Sequence, residues 1–164
     1  TYHRAGLNFR LNRKKYNAMA GVSYQRTDLF GDLILQEVDI NQTFSNFLPR
    51  ANFNYEFSNT RRFSLEYETS MQEPTIQQLQ PVVDNTDPLN ISVGNPDLQP
   101  AFNNLTRLSY TAFDPVNMRN FFAFVTVNYL QDAITNGQSV DENLVRTTRP
   151  ENVDYNLNVT SNIS

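Results

Sequence analysis

The chain has 164 residues, enough for one domain, with 39% hydrophobic and 18% charged residues, a net charge of −4 and no cysteine. Uncharged polar residues fill the gap, with 22 Asn and 10 Gln beside 12 Phe and 8 Tyr. These figures exclude disulfides, thiolate metal sites and a broad nucleic-acid footprint, and no run approaches the roughly 18 apolar residues of a membrane helix.

The dominant period is two. Near the start, Tyr16, Ala18, Ala20, Val22 and Tyr24 oppose Asn17, Met19, Gly21, Ser23 and Gln25. Ala51, Phe53, Tyr55 and Phe57 share one face, with Arg50, Asn52, Asn54 and Glu56 on the other. Phe63, Leu65 and Tyr67 then alternate with Ser64, Glu66 and Glu68, and Leu108, Tyr110 and Ala112 with Arg107, Ser109 and Thr111. Phe121, Ala123, Val125, Val127 and Tyr129 continue the pattern, as do Val153, Tyr155, Leu157 and Val159. Such alternation predicts strands with one apolar and one polar face. No comparable stretch carries helical spacing, so the fold class is all-β.

Short turns are expected around Arg13–Lys15, Asn59–Arg61 and Asp114–Asn117. Long, poorly periodic segments separate them, at roughly 27–47, 72–101 and 132–141. Residues 149–152 read either as a fourth short turn or as a bulge within one long strand. About eight antiparallel strands with short turns on one side and long loops on the other is the layout of part of a large transmembrane barrel. Several strands reach the ten residues that a tilted strand needs to cross a bilayer. Aromatic residues near strand ends (Tyr16, Tyr24, Tyr67, Tyr129) suit interfacial girdles, and the Asn/Ser/Thr-rich face suits a lumen. A soluble sandwich would show the same alternation. Both ends of the chain read as cuts through a longer one: it opens on Thr1, and Asn152–Ser164 still alternates as it stops.

The segment Gln72–Pro100, QEPTIQQLQPVVDNTDPLNISVGNPDLQP, holds five of the eight prolines and is expected not to pair as central strand. Its Ile76, Leu79, Val82, Val83, Leu89, Ile91, Val93 and Leu98 imply that it packs down on something. The ordered string E-P-T-I-x-x-L-x-P, then D-P-L-N-I-S-x-G-N-P-D-L-x-P, resembles the barrel of TonB-dependent receptors, of the outer-membrane type common in Bacteroidetes. Asn46–Pro49 and Asp132–Ile134 flank it as that family's pieces do. The resemblance implies a plugged barrel of about 22 strands. Residues 1–164 would be a partial barrel domain, with no signal peptide, plug or TonB-contacting segment among them. It further implies a place in the bacterial outer membrane, lipid as a partner, TonB reached through a plug, and in some relatives a surface lipoprotein.

Among candidate site residues, Glu73, Asp84, Asp87, Asn90, Asn95 and Asp97 lie in the long loop, where a cargo would first be met. Their oxygens suit calcium, but the spacing matches no EF-hand, and turn chemistry is the stronger reading. Asn52, Asn54, Glu56, Ser64, Glu66, Glu68, Arg107 and Ser109 are expected to face the lumen. Glu66 and Glu68 read as acids paired with Arg50, Arg61 or Arg107 rather than as a catalytic pair. Arg13–Lys15, Arg61 and Arg62 belong to short turns near headgroups, and His3 to a strand. No phosphate loop, nucleophile motif or metal cluster is present, so neither an enzyme nor a cofactor is expected.

The leading reading is a TonB-dependent receptor importing a nutrient. The alternatives are a non-transporting outer-membrane scaffold and a soluble β-sandwich binding module. The native protein, extracted in detergent, is expected to migrate differently on a gel before and after boiling. A soluble species near the mass of these 164 residues, with no shift, would leave the sandwich.

Overall fold

The computed structural model describes residues 1–33 and 38–164, and the side chains outside 32–40 and 84–86. Seven long strands carry the fold: β1 (Tyr2–Asn12), β2 (Tyr16–Leu33), β3 (Val38–Ser58), β4 (Arg61–Gln72), β7 (Ala101–Asp114), β8 (Arg119–Val140) and β9 (Arg146–Ile163). Between β4 and β7 stand a four-residue helix, α1 (Ile76–Leu79), and two short strands, β5 (Val83–Asp87) and β6 (Asn90–Val93). Among the described residues, these nine strands belong to one sheet of order β1-β2-β3-β4-β7-β8-β9-β6-β5, antiparallel except where β6 meets β9.

Register turns the alternation of each strand into continuous faces. Tyr16 pairs with Tyr55, Tyr55 with Phe63 and Phe63 with Tyr110, so four aromatic rings form one row across four strands. Phe57, Tyr110 and Phe121 extend the row, with ring centres 6.2 and 6.0 Å apart. Eight residues further along the strands lie Tyr24, paired with Phe47, and Tyr129, which stacks on Tyr155 at 5.7 Å. Eight residues of strand span about 26 Å, or about 20 Å across a bilayer once tilted. Between the two rows the middle of the belt is Leu65, Leu108 and Val125, direct cross-strand partners. Leu7 and Phe9 on β1 are 80% and 70% exposed, a surface that water does not tolerate in a lone sheet.

The turns form where local chemistry satisfies the backbone. At Pro115–Met118, Asp114 Oδ1 accepts from the backbone N–H of Val116 (2.9 Å) and Asn117 (3.3 Å), while the Asn117 amide donates to Asp114 Oδ2 (2.8 Å). The side-chain bond from Asn117 holds the Asp114 carboxyl below its ordinary range. At the opposite end Asp141 Oδ1 accepts from Asn143 and Val145, both at 2.9 Å, and Leu144 takes a positive φ of 63°.

Two expectations are corrected. Segments 27–47 and 132–141 are mostly strand: Thr27 pairs with Phe44, Leu33 with Val38, and Val140 with Arg146. Beyond the aromatic rows neither face meets lipid, so alternation lapses while backbone pairing continues. Arg26, Asp28 and Thr43, joined at 3.2 and 2.7 Å, stand there instead of apolar residues. Residues 34–37 of the first segment lie outside the described residues. Gln72–Pro100, expected not to pair as central strand, contributes β5 and β6, the latter between β5 and β9; they occupy the proline-free intervals on either side of Pro88, which lies in the turn between them. Residues 149–152 belong to one continuous β9, Pro150 lying opposite Asn136.

The belt and the polar face differ most sharply at adjacent residues 108 and 109. Leu108→Arg is expected to destabilise the intact barrel by about 2–4 kcal/mol in urea titrations in liposomes, and Ser109→Arg by under 1 kcal/mol.

Candidate functional site

The chain between β4 and β7 folds back over the polar face of the sheet and ends, through β5 and β6, at the edge of β9. Glu73 begins the return: its Oε1 accepts from Thr27 Oγ1 at 2.7 Å and from Gln25 Nε2 at 3.1 Å, both on the polar face of β2. Pro74 is fully buried behind it. Thr75 caps α1 in a reciprocal box, its hydroxyl accepting from Gln78 N–H while the Gln78 side chain accepts from Thr75 N–H. The short helix aims Leu79 inward against Leu98, Leu29 and Ile134; Leu79 and Leu98 are almost wholly buried.

The Gly-Asn-Pro sequence locks this strap from its far side. A Cβ on Gly94 would overlap the Gln80 carbonyl oxygen, so only glycine allows the approach. Asn95 uses every group it has: its N–H donates to Gln78 O (2.6 Å), its amide donates to Pro150 O (3.0 Å), and its Oδ1 accepts from Arg149 (3.0 Å) and Asp97 N–H (3.1 Å). Gln42 donates to Pro96 O at 2.6 Å. Gln99 and Asn152 bond reciprocally, both at 2.9 Å. β6 then adds in parallel to the free edge of β9, Asn90 to Ser92 beside Arg146 to Thr148. The strap thus ties β2, β3 and β9 together across the ends of β7 and β8.

Of the six loop candidates, Glu73 and Asn95 are consumed by this anchoring. Asp87 and Asn90 bond to each other at 2.7 Å within the β5–β6 turn, and that bond holds the Asp87 carboxyl below its ordinary range. Asp97 is exposed beside Asn95, and the side chain of Asp84 lies outside the described ones. The structure therefore spreads these residues along the strap and does not gather them at one centre. Sequence reasoning missed Gln25, Thr27, Arg149 and Asn152, whose partners lie about 50 residues away and leave no local signature.

The other eight candidates share one sheet face. Glu66 pairs with Arg107 at 3.1 Å and Glu56 with Arg62 at 2.7 Å; Ser64 donates to Asn54 at 2.7 Å, and Asn54 to Asn17 at 3.0 Å. Ser109 lies directly across from Ser64, and Asn52 from Glu66. A cleft of about 430 Å³ opens here, lined by Arg10, Arg50, Asn52, Glu66 and Glu68. Arg50 is turned to Asn8, leaving Glu68 without an ion pair among the described residues. Deeper on the same face, Asn103 Oδ1 and Asn128 Oδ1 are buried with no hydrogen-bond partner. A second cavity of about 560 Å³ lies under the strap, lined by Thr75, Gln77, Gln80, Ser92 and Asn136, with no charged group among the described residues. The polar face can bind polar surfaces at several points.

A profile of the outer membrane protein beta-barrel family matches residues 3–164. The chain belongs to that family. Its localisation is accordingly the bacterial outer membrane, and the apolar belt is its lipid face. No curated protein matches the sequence. Among solved structures the barrel is similar to the hemophore receptor HasR of Serratia marcescens, with a TM-score of 0.71 at 14% identity over 99% of this chain and 30% of that one. It is also similar to the copper transporter OprC (0.64, 10%, over 98% and 26%) and to the ferric enterobactin receptor PfeA of Pseudomonas aeruginosa (0.60, 10%, over 99% and 32%). The chain spans about a third or less of each. At these identities the likeness shows a shared fold.

Gly94→Ala is expected to destabilise the strap by about 1–3 kcal/mol, through overpacking against the Gln80 carbonyl. Hydrogen exchange at residues 76–99 of the barrel should accelerate, while that of the belt strands stays unchanged.

Proposed function

We propose that these residues form one section of the wall of a TonB-dependent receptor that imports a nutrient across the outer membrane. The observation that carries this reading is the strap. A wall meant only to anchor partners at the surface has no need to fold the segment 73–100 back over its polar face and tie it to three strands. A conduit does, because the strap narrows the mouth on the loop side and gives arriving cargo a fixed polar surface.

In this reading the eight polar-face residues line the lumen. Glu68, Asn103 and Asn128, which keep unused bonding capacity within the wall, would meet a plug domain or water. The strap residues Asp84, Asp87, Asn90 and Asp97 would stand at the vestibule, with Glu73 and Asn95 holding it in shape. A cargo entering from the loop side crosses the strap first and the charged cleft at Glu66 and Glu68 second. Displacement of a plug by energy from the inner membrane would open the path between them. The likeness to receptors for a hemophore, copper and a ferric siderophore supports an import role and leaves the cargo's chemistry open. No bond of the cargo is broken in this cycle.

The intact protein is expected to be captured by the periplasmic C-terminal domain of TonB immobilised on resin, and deletion of TonB should abolish growth that depends on the receptor. Absence of capture, with normal growth in the deletion strain, would leave the scaffold reading in its place.

A further inference from the structure

The short-turn end of the sheet carries a notch on the lipid face that neither the strap nor the lumen uses. Arg61 of β4 pairs with Ala112 of β7, and Ala112 pairs with Phe121 of β8, so a small residue lies between an arginine and a phenyl ring. Arg119 precedes Phe121 by two residues and shares its face. The cleft so formed has a volume of about 520 Å³, and Thr60, Asp114 and Pro115, with Phe113 and Asn120 at the end of the sheet, complete its lining. Its walls are fixed, since the Phe113 N–H donates to Thr60 O at 2.8 Å and ties one hairpin end to the next.

The charges suit an anion. Arg61 and Arg119 have no ion pair among the described residues. Asp114, the one acid on the rim, faces Arg119 across the strand pair and senses Arg61; its hydrogen bonds go to Val116 and Asn117 of its own turn, and the two arginines outnumber it. The apolar wall is Phe121, 45% exposed and within 6.0 Å of Tyr110 in the aromatic row that marks the bilayer boundary. Arg61 and the exposed Phe121 ring stand level with each other at the turn side of that row, with Arg119 two residues further out. Cationic groups and an apolar ring side by side at the bilayer boundary match a phosphodiester and the glycerol–acyl portion next to it.

We propose that this notch binds an anionic phospholipid of the inner leaflet, with the phosphodiester held between Arg61 and Arg119 and the acyl portion lying over Ala112 against Phe121. The proposal rests on the membrane orientation of the barrel, in which short turns face the periplasm, and is independent of any cargo or of TonB.

The test is native mass spectrometry of the intact barrel released from nanodiscs of equal phosphatidylglycerol and phosphatidylcholine. The wild-type protein is expected to retain phosphatidylglycerol preferentially. Arg61→Gln with Arg119→Gln should reduce that retention on the order of thirtyfold. Ala112→Leu, which fills the notch without altering charge, should reduce it as well, whereas Lys14→Gln with Lys15→Gln, two strands away, should not. Equal retention of the two lipids by the wild-type protein overturns the proposal, whatever the variants do. So does equal loss from the Lys14/Lys15 variant, which would mean diffuse charge attraction. Displacement of the lipid by millimolar inorganic phosphate would assign the site to a free anion instead.

Discussion

A backbone that enters lipid must carry its own hydrogen-bond partners, because no water is there to supply them. The rest of this structure depends on that constraint. It is met by seven long strands paired edge to edge, and pairing forces successive side chains to opposite faces. One face must then be apolar over the thickness of the bilayer and nowhere else. The aromatic rows at Tyr16–Tyr55–Phe63–Tyr110 and at Tyr24–Phe47 mark where the demand begins and ends. Past them the strands go on pairing but lose their alternation.

The polar face is left with the opposite problem. Its amides, hydroxyls and charges need partners of their own, and the sheet cannot supply all of them. Part of the answer is local, as in Glu66 with Arg107 and Ser64 with Asn54. The larger part is the strap, which brings Glu73 to Gln25 and Thr27, and Asn95 to Arg149 and Pro150. Its prolines are what make it a strap: they break the segment into pieces too short to span the wall, leaving α1 to fold across it and β6 and β5 to add only a short stretch at the edge of β9. Leu79 and Leu98 then form a small dry core between strap and sheet. The fold thus separates its surfaces by chemistry: lipid outside, the strap and remaining polar groups on the other face, and a basic rim at the short turns.

The strands from Tyr16 to Tyr24, from Arg50 to Phe57 and from Phe121 to Tyr129 were legible because lipid imposes a strict period on them. Residues 27–47 and 132–141 were not, since outside the bilayer a paired strand has no compositional signature. For the site, the string from Glu73 to Pro100 revealed that something was built there. It did not reveal that Glu73 and Asn95 would be spent on anchoring, because their partners lie on strands distant in sequence. The notch at Arg61, Ala112 and Arg119 was equally hidden. Each residue alone is an ordinary turn or strand residue, and only the pairing of three strands sets them side by side.

By itself, the sequence determined the all-β class, the positions of the short turns and which residues share the apolar face. Those follow from local periodicity and turn chemistry, each confined to a few consecutive residues. The tertiary structure alone decided that the proline-rich segment turns onto the polar face, adds a parallel strand to β9 and leaves a cavity beneath. These outcomes depend on contacts between residues tens of positions apart, and a hydrogen bond over that distance leaves no pattern in the chain that makes it.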